Sequence, residues 1–232
     1  MPIRKTVAVV AVLGAFAVLV GLGLWQLDRR AWKQERIAAA AAGLEAAPLA
    51  LAEAAPDPGA VWRRAALTAT TIPAGRVEIG PKTVQGKVGM DHALPARLAN
   101  GDIVIVVLGF VANDAPASTR PTPPDGHFAA AGVLTRPERP SRMMPDNRPP
   151  DSWLWLEPRA IAAAAGLDPD RTSPLALRLE PPWPGFQGEA VRPNLPDNHL
   201  QYAFTWFGLA GALAGVAAIG VWRRRRPGQR QP

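Results

Sequence analysis

Few residues in this chain are equipped for chemistry, and one stands out by its position. His199 immediately precedes a long uncharged run, within Pro-Asp-Asn-His-Leu-Gln-Tyr-Ala-Phe-Thr-Trp-Phe at 196–207. An ionisable ring at a membrane edge is costly to desolvate and points to function. Neutral imidazole is also a common ligand of haem iron. The same stretch reads as a helix start too, with Asp197 as N-cap and Asn198 and His199 in a wet first turn. His92 and His127 fall in polar loops or at strand ends and read as solvated. There is no G-x-S-x-G elbow, Walker loop, H-E-x-x-H pair or dinucleotide fingerprint after a strand. Gly21-x-Gly23 sits inside an apolar run, where it suits helix packing. Asp28 and Asp197 make a weak carboxylate pair, and Ser118, Ser141, Ser152 and Ser173 have no local support as nucleophiles. With no Cys, disulfides, thiolate metal sites and Cys nucleophiles are excluded. Three His cannot build a rich metal cluster, and copper handling would fall to four Met.

The elements that position His199 are read from where charge is missing. The 232 residues carry 26 Lys plus Arg against 19 Asp plus Glu, a net charge of +7 and a pI of about 10.9. Taken alone, that suggests a nucleic-acid partner. Its distribution says otherwise. Thr6 to Leu27 is a 22-residue stretch without charge, and Leu200 to Trp222 is another of 23. At about 1.5 Å per residue, each exceeds the roughly 30 Å hydrocarbon core. Neither contains Pro, both are rich in Gly and Ala, and Trp25, Trp206 and Trp222 lie near their ends. The first run is longer than the h-region of a cleaved signal peptide. Seven of the 26 basic residues lie in the two tails: Arg4, Lys5, Arg223 to Arg226 and Arg230. The 19 left between the spans equal the 19 acidic residues there, so the central region is neutral. Short positive tails stay in the cytoplasm, and a long domain crosses regardless of its charges. Both termini are expected inside, in a bacterial inner membrane, with the domain in the periplasm and no nucleic-acid partner.

Between the spans, the first helix is expected to continue to about Gly43 as its C-cap, with Trp25 and Trp32 on one face. Pro48 to Pro58 reads as a linker. Strands are expected at Arg64–Ile72, Arg76–Gly80, Ala93–Leu98, Asp102–Val111, Phe128–Thr135, Trp153–Leu156 and Leu175–Glu180. Asn100-Gly101 between apolar runs is a hairpin signal. The β-branched run from Ile103 to Leu108 predicts a strand buried on both faces. Val111–Pro124 and the five-proline stretch 137–150 read as irregular. Pro158–Ala165 predicts a helix closed by Gly166. The fold class is two transmembrane helices flanking a mainly antiparallel β (α+β) domain, barrel- or sandwich-like. The segments are a tail at 1–5, a span at 6–27 continuing to about 43, the domain at 44–197, a span at 198–222 and a tail at 223–232.

Two stretches carry a resemblance. Leu-Gly-Leu-Trp-Gln-Leu-Asp-Arg-Arg-Ala-Trp-Lys, at 22–33, resembles the N-terminal signature of the surfeit locus protein one family. Asn-His-Leu-Gln-Tyr-Ala-Phe-Thr-Trp-Phe-Gly-Leu-Ala, at 198–210, resembles its C-terminal signature. Gly23, Trp25, Gln26, Arg29, Trp32 and Lys33 match the first; Asn198, His199, Leu200, Tyr202, Ala203, Thr205 and Trp206 match the second. Gly109-Phe110-Val111 looks like the family's G-W-V strand end. Two departures stand out: Asp197-Asn198 replaces an Asn pair, and Leu108-Gly109-Phe110 replaces R-G-W. The resemblance implies a non-enzymatic membrane factor for cytochrome c oxidase biogenesis, linked to haem a insertion into the oxidase's first subunit. Its implied partners are oxidase subunits, haem delivery proteins and the bilayer. It gives His199 the look of a haem a contact or ligand. If the spans pack, Trp25, Gln26, Arg29 and Trp32 are expected near His199, Tyr202 and Trp206, where aromatic walls, one imidazole and a cation suit a haem.

Overall fold

The computed structural model describes residues 2–51, 55–137, 139, 141, 143–188, 190–192 and 198–225. The expected N-cap Asp197 and the tail residues Arg226 and Arg230 lie outside the described residues. Two compact units divide the chain, Met1–Ala38 with Asn194–Pro232, and Ala39–Pro193.

The first unit is built from α3 (His199–Arg225) and α1 (Pro2–Glu45) as far as Ala38; the end of α1 from Ala39 belongs to the second unit. Both are long and apolar enough to cross a membrane. Val10, Leu13 and Val18 of α1, and Phe204 and Val216 of α3, are exposed. Such an apolar surface is stabilised by lipid rather than water. α1 runs two residues past Gly43, so that glycine is not a cap. A Cβ there would lie 3.1 Å from the Trp62 carbonyl oxygen, and its role is close packing.

The second unit holds one seven-stranded mixed sheet and a short helix. Its strands are β1 (Leu49–Leu51), β2 (Arg64–Thr71), β3 (Val77–Val84), β4 (Lys87–Arg97), β5 (Ile103–Ala112), β6 (His127–Thr135) and β7 (Thr172–Leu179); the helix is α2 (Pro158–Ala164). The order is β1-β2-β6-β7-β5-β4-β3, and β2 also meets β4 at Thr70–Arg97 and Thr71–Ala96. The sheet is mainly antiparallel, as expected, through β2–β6, β6–β7, β4–β5, β3–β4 and β2–β4, but it is mixed, since β1–β2 and β5–β7 are parallel. A parallel neighbour needs a long crossover, and between β5 and β7 it runs through β6 and α2.

β5 is the central strand, as its β-branched run predicts. Every residue from Ile103 to Phe110 is buried. Val104, Val106 and Leu108 enter one core with Leu67, Leu94, Leu134 and Leu177. Ile103, Ile105 and Val107 enter another with Trp153 and Ile161 of α2. Alternation along a pleated strand thus serves two cores at once. The β4–β5 hairpin turns at Gly101, whose φ is +88°, with Asn100 and Asp102 hydrogen-bonded across the turn. Gly166 closes α2 at φ +70°.

Three expectations differ locally. The linker contains β1, because Leu49-Ala50-Leu51 pairs with β2 and buries Leu51. Residues 153–156 form no strand; Trp153 makes one isolated bridge to Ile79. There the Asn147 side chain accepts from Leu154 N at 2.8 Å and donates to Trp155 O at 3.1 Å, satisfying backbone groups a ladder would have used. The expected strand at 93–98 is the second half of β4, which starts at Lys87 after a Gln85-Gly86 turn with both φ positive.

Candidate functional site

In α3, His199, Ala203, Trp206, Ala210, Leu213 and Ala217 are buried or half-buried, recurring at alternating steps of four and three. In α1, Leu19, Gly23, Gln26, Arg30 and Lys33 follow the same rhythm. That spacing is the seam of paired helices. Small residues at Gly23, Ala203 and Ala210 let the backbones approach. A Cβ on Gly23 would fall 2.5 Å from Phe207 Cε1. Gln26 lies one turn beyond Gly23, while His199 lies two turns before Phe207, so the two helices run antiparallel.

At the mouth of this seam, His199 Nδ1 lies 2.7 Å from Gln26 Oε1. An amide oxygen only accepts, so with Gln26 Oε1 facing the ring, His199 Nδ1 carries a proton and donates it. A second residue that fixes the tautomer and plane of an imidazole is what a ligating histidine needs. The neutral amide of Gln26 orients the ring without adding charge.

The other expected residues divide into two groups. Trp25, Arg29, Trp32 and Arg36 form a stripe on α1, one position away from the seam. The Arg29 guanidinium sits 4.7 Å from the Trp32 ring centroid and that of Arg36 4.4 Å, so two cations lie against the indole. Each contact contributes about 0.5–1 kcal/mol at an exposed site. Trp25 is 52% exposed and Tyr202 55%, so neither is packed into the seam. Trp206 is within it, and its buried Nε1 has no hydrogen-bond partner among the described residues. The structure therefore brings His199 and Gln26 into contact, and pairs Arg29 with Trp32. Sequence reasoning missed Phe207 and Arg36, although Phe207 stands one turn from Ala203 and Arg36 one turn from Trp32.

The histidines of the sheet unit differ from each other. His127 is exposed, as expected, with Nδ1 3.4 Å from Thr70 Oγ1. His92 is only partly solvated. It lies within β4, half-buried, with its ring edge-on to Phe186 at 5.4 Å and Nδ1 3.9 Å from Glu78 Oε1. Burial pushes its pKa below the ordinary 6.5; Glu78 and Asp91 oppose that shift and Arg120 adds to it. No group of three or more His, Cys, Asp or Glu able to hold a metal ion occurs among the described residues.

A model of the SURF1 family matches residues 13–211, which take in Gln26, the whole sheet and His199. The chain belongs to the SURF1 family. Among SURF1-like proteins, that of Monosiga brevicollis is 28% identical over 95% of this chain and 88% of its own length. The SURF1-like protein of Rickettsia conorii is 26% identical over 90% and 88%. Surfeit locus protein 1 of Mus musculus is 25% identical over 85% of this chain and 70% of its own. The SURF1 match thus takes in most of α1, the sheet domain and the first half of α3.

Proposed function

We propose that this protein is a membrane-anchored, non-catalytic assembly factor for cytochrome c oxidase that holds haem a transiently for the catalytic subunit. Membership of the SURF1 family supports the assembly role. The observation that carries the haem reading is the 2.7 Å contact between His199 Nδ1 and Gln26 Oε1. The donor set suits a haem: an oriented imidazole for the iron, exposed aromatic rings at Trp25 and Tyr202 for the macrocycle, and the Arg29 guanidinium for a propionate. Trp32 and Trp206 complete the aromatic surroundings. Haem, when bound, supplies an iron that an imidazole ligates. The protein's part is to hold and release the group: Gln26 orients the ring, and the half-wet mouth of the helix pair leaves a path for exchange. Basic tails support cytoplasmic termini and a periplasmic sheet domain, on the side where oxidase subunits and haem delivery proteins would meet it.

The test is to purify the protein from cells that also make haem a and to compare it with His199→Ala. The wild type is expected to carry a Soret band, and the variant to lose most of it at unchanged yield. A wild type that carries no haem overturns this reading in favour of an adaptor that binds oxidase subunits through its sheet domain.

A further inference from the structure

Away from the helix pair, the sheet unit gathers two cations around one buried carboxylate. Asp91 of β4 is only 5% exposed. Lys82 Nζ lies 2.7 Å from its Oδ1, and Arg178 Nη1 donates to its Oδ2 at 2.9 Å. One buried carboxylate therefore faces two cations. All three groups line a cavity of about 430 Å³, and Arg136 adds another positive charge to its wall. Asp91 is the only carboxylate among the described lining residues. The remaining wall is largely apolar, with Val107 from the central strand and the indole of Trp155. The buried Trp155 Nε1–H has no acceptor among the described residues.

Each feature points the same way. Excess charge in a partly desolvated pocket is stabilised by a counter-ion. Guanidinium and ammonium groups converging on one volume suit a carboxylate, which accepts from both. A cavity of this size with apolar walls and a few convergent polar groups is built for a small molecule. We infer that this cavity binds a small organic anion, a carboxylate carried on an apolar, ring-sized body. The carboxylate takes the charge that Asp91 leaves over, and the body lies against Val107 and Trp155. Nothing in this site depends on His199 or on haem.

The test uses the full chain in phosphatidylcholine nanodiscs, titrated calorimetrically with 1-naphthylacetate and with its neutral counterpart 1-naphthylacetamide; empty nanodiscs supply the background. Saturable binding of the acid is expected, about tenfold or more tighter than that of the amide. Asp91→Asn removes the competing charge and is expected to tighten binding of the acid, and Arg136→Gln to weaken it, with unchanged circular dichroism. The inference fails if the acid shows no saturable binding up to about 5 mM. It fails equally if the amide binds as well as the acid, or if a folded Asp91→Asn variant binds the acid more weakly. Should Asp91→Asn not fold, the acid–amide comparison and Arg136→Gln decide the matter.

Discussion

Gly23 of α1 lies directly against the ring of Phe207 of α3, so that a Cβ at residue 23 would stand 2.5–2.9 Å from three ring carbons. No real Cβ contact is that short, and any side chain at residue 23 must move the ring or part the helices. Gly23→Val is therefore expected to lower the melting temperature of the purified protein. Phe207→Ala in the same chain should restore part of the loss, with a coupling of about 1 kcal/mol. Strict additivity of the two changes in a thermal melt would show that the helices do not meet there.

Gln26→Ala removes the acceptor of His199 Nδ1 while leaving the imidazole in place. If His199 ligates haem, loss of this partner is expected to weaken haem retention by roughly 10–100-fold. Competition with apomyoglobin measures that change. Gln26→Glu should retain haem, because a carboxylate accepts from the same N–H. Equal retention by Gln26→Ala and wild type would leave Gln26 without a role in orienting the ring.

His92 gives the sheet unit a pH dependence of predictable sign. Its folded pKa is below 6.5, so on acidification the unfolded chain takes up the proton first. The stability it contributes is complete above about pH 6.5 and is lost as pH falls through the folded value. The melting temperature of the wild type is expected to fall as pH drops below 6.5, and that of His92→Gln to change less. An identical slope in the variant assigns the proton to another group.

Gly109 has a φ of +142°, and a Cβ there would lie 2.6 Å from the Gln187 carbonyl oxygen. Strain and overlap coincide at the central strand, next to the shift in register opposite His92. Gly109→Ala is expected to destabilise the domain by about 2 kcal/mol or more. Denaturant unfolding followed by Trp fluorescence measures it, and a change within error would mean that Gln187 moves aside freely.

Membrane orientation can be read by chemical labelling, since the chain has no cysteine of its own. In intact spheroplasts, Ser118→Cys is expected to react with a membrane-impermeant maleimide, and Gln229→Cys to react only after lysis. The reverse pattern would invert the proposed topology.

Much of this architecture is legible in the sequence because the signals are strong and local. Two charge-free runs mark the long helices, and Ile103 to Leu108 marks the doubly buried strand. Asn100-Gly101 marks one turn, and Gly166 marks the end of α2. The Gln85-Gly86 turn is weaker, since Gln is an unusual residue at positive φ, and so the first half of β4 is hidden. β1 is three residues beside a proline and has no periodicity of its own. At Trp153–Leu156 the composition favours a strand, but Asn147, several residues away, takes the backbone groups. For the candidate site, Gln26 is one of only two polar residues from Thr6 to Leu27. That isolation marks it as buried against a partner. That the partner is the His199 ring depends on the register between two helices far apart in the chain, which no local pattern encodes.

β7 occupies an unusual place for the last strand of its domain. It sits between β5 and β6, which follow one another in the chain but do not pair. Until residues 172–179 have emerged, both of those strands present open edges, apart from the short β2–β4 contact. Unpaired edges invite association with other chains, and the contacts that close them are long-range and slow to form. Folding of the domain is thus a late event. It waits until almost the whole domain has been made, and a chain truncated before Thr172 would be left with two unfinished half-sheets and a strong tendency to aggregate.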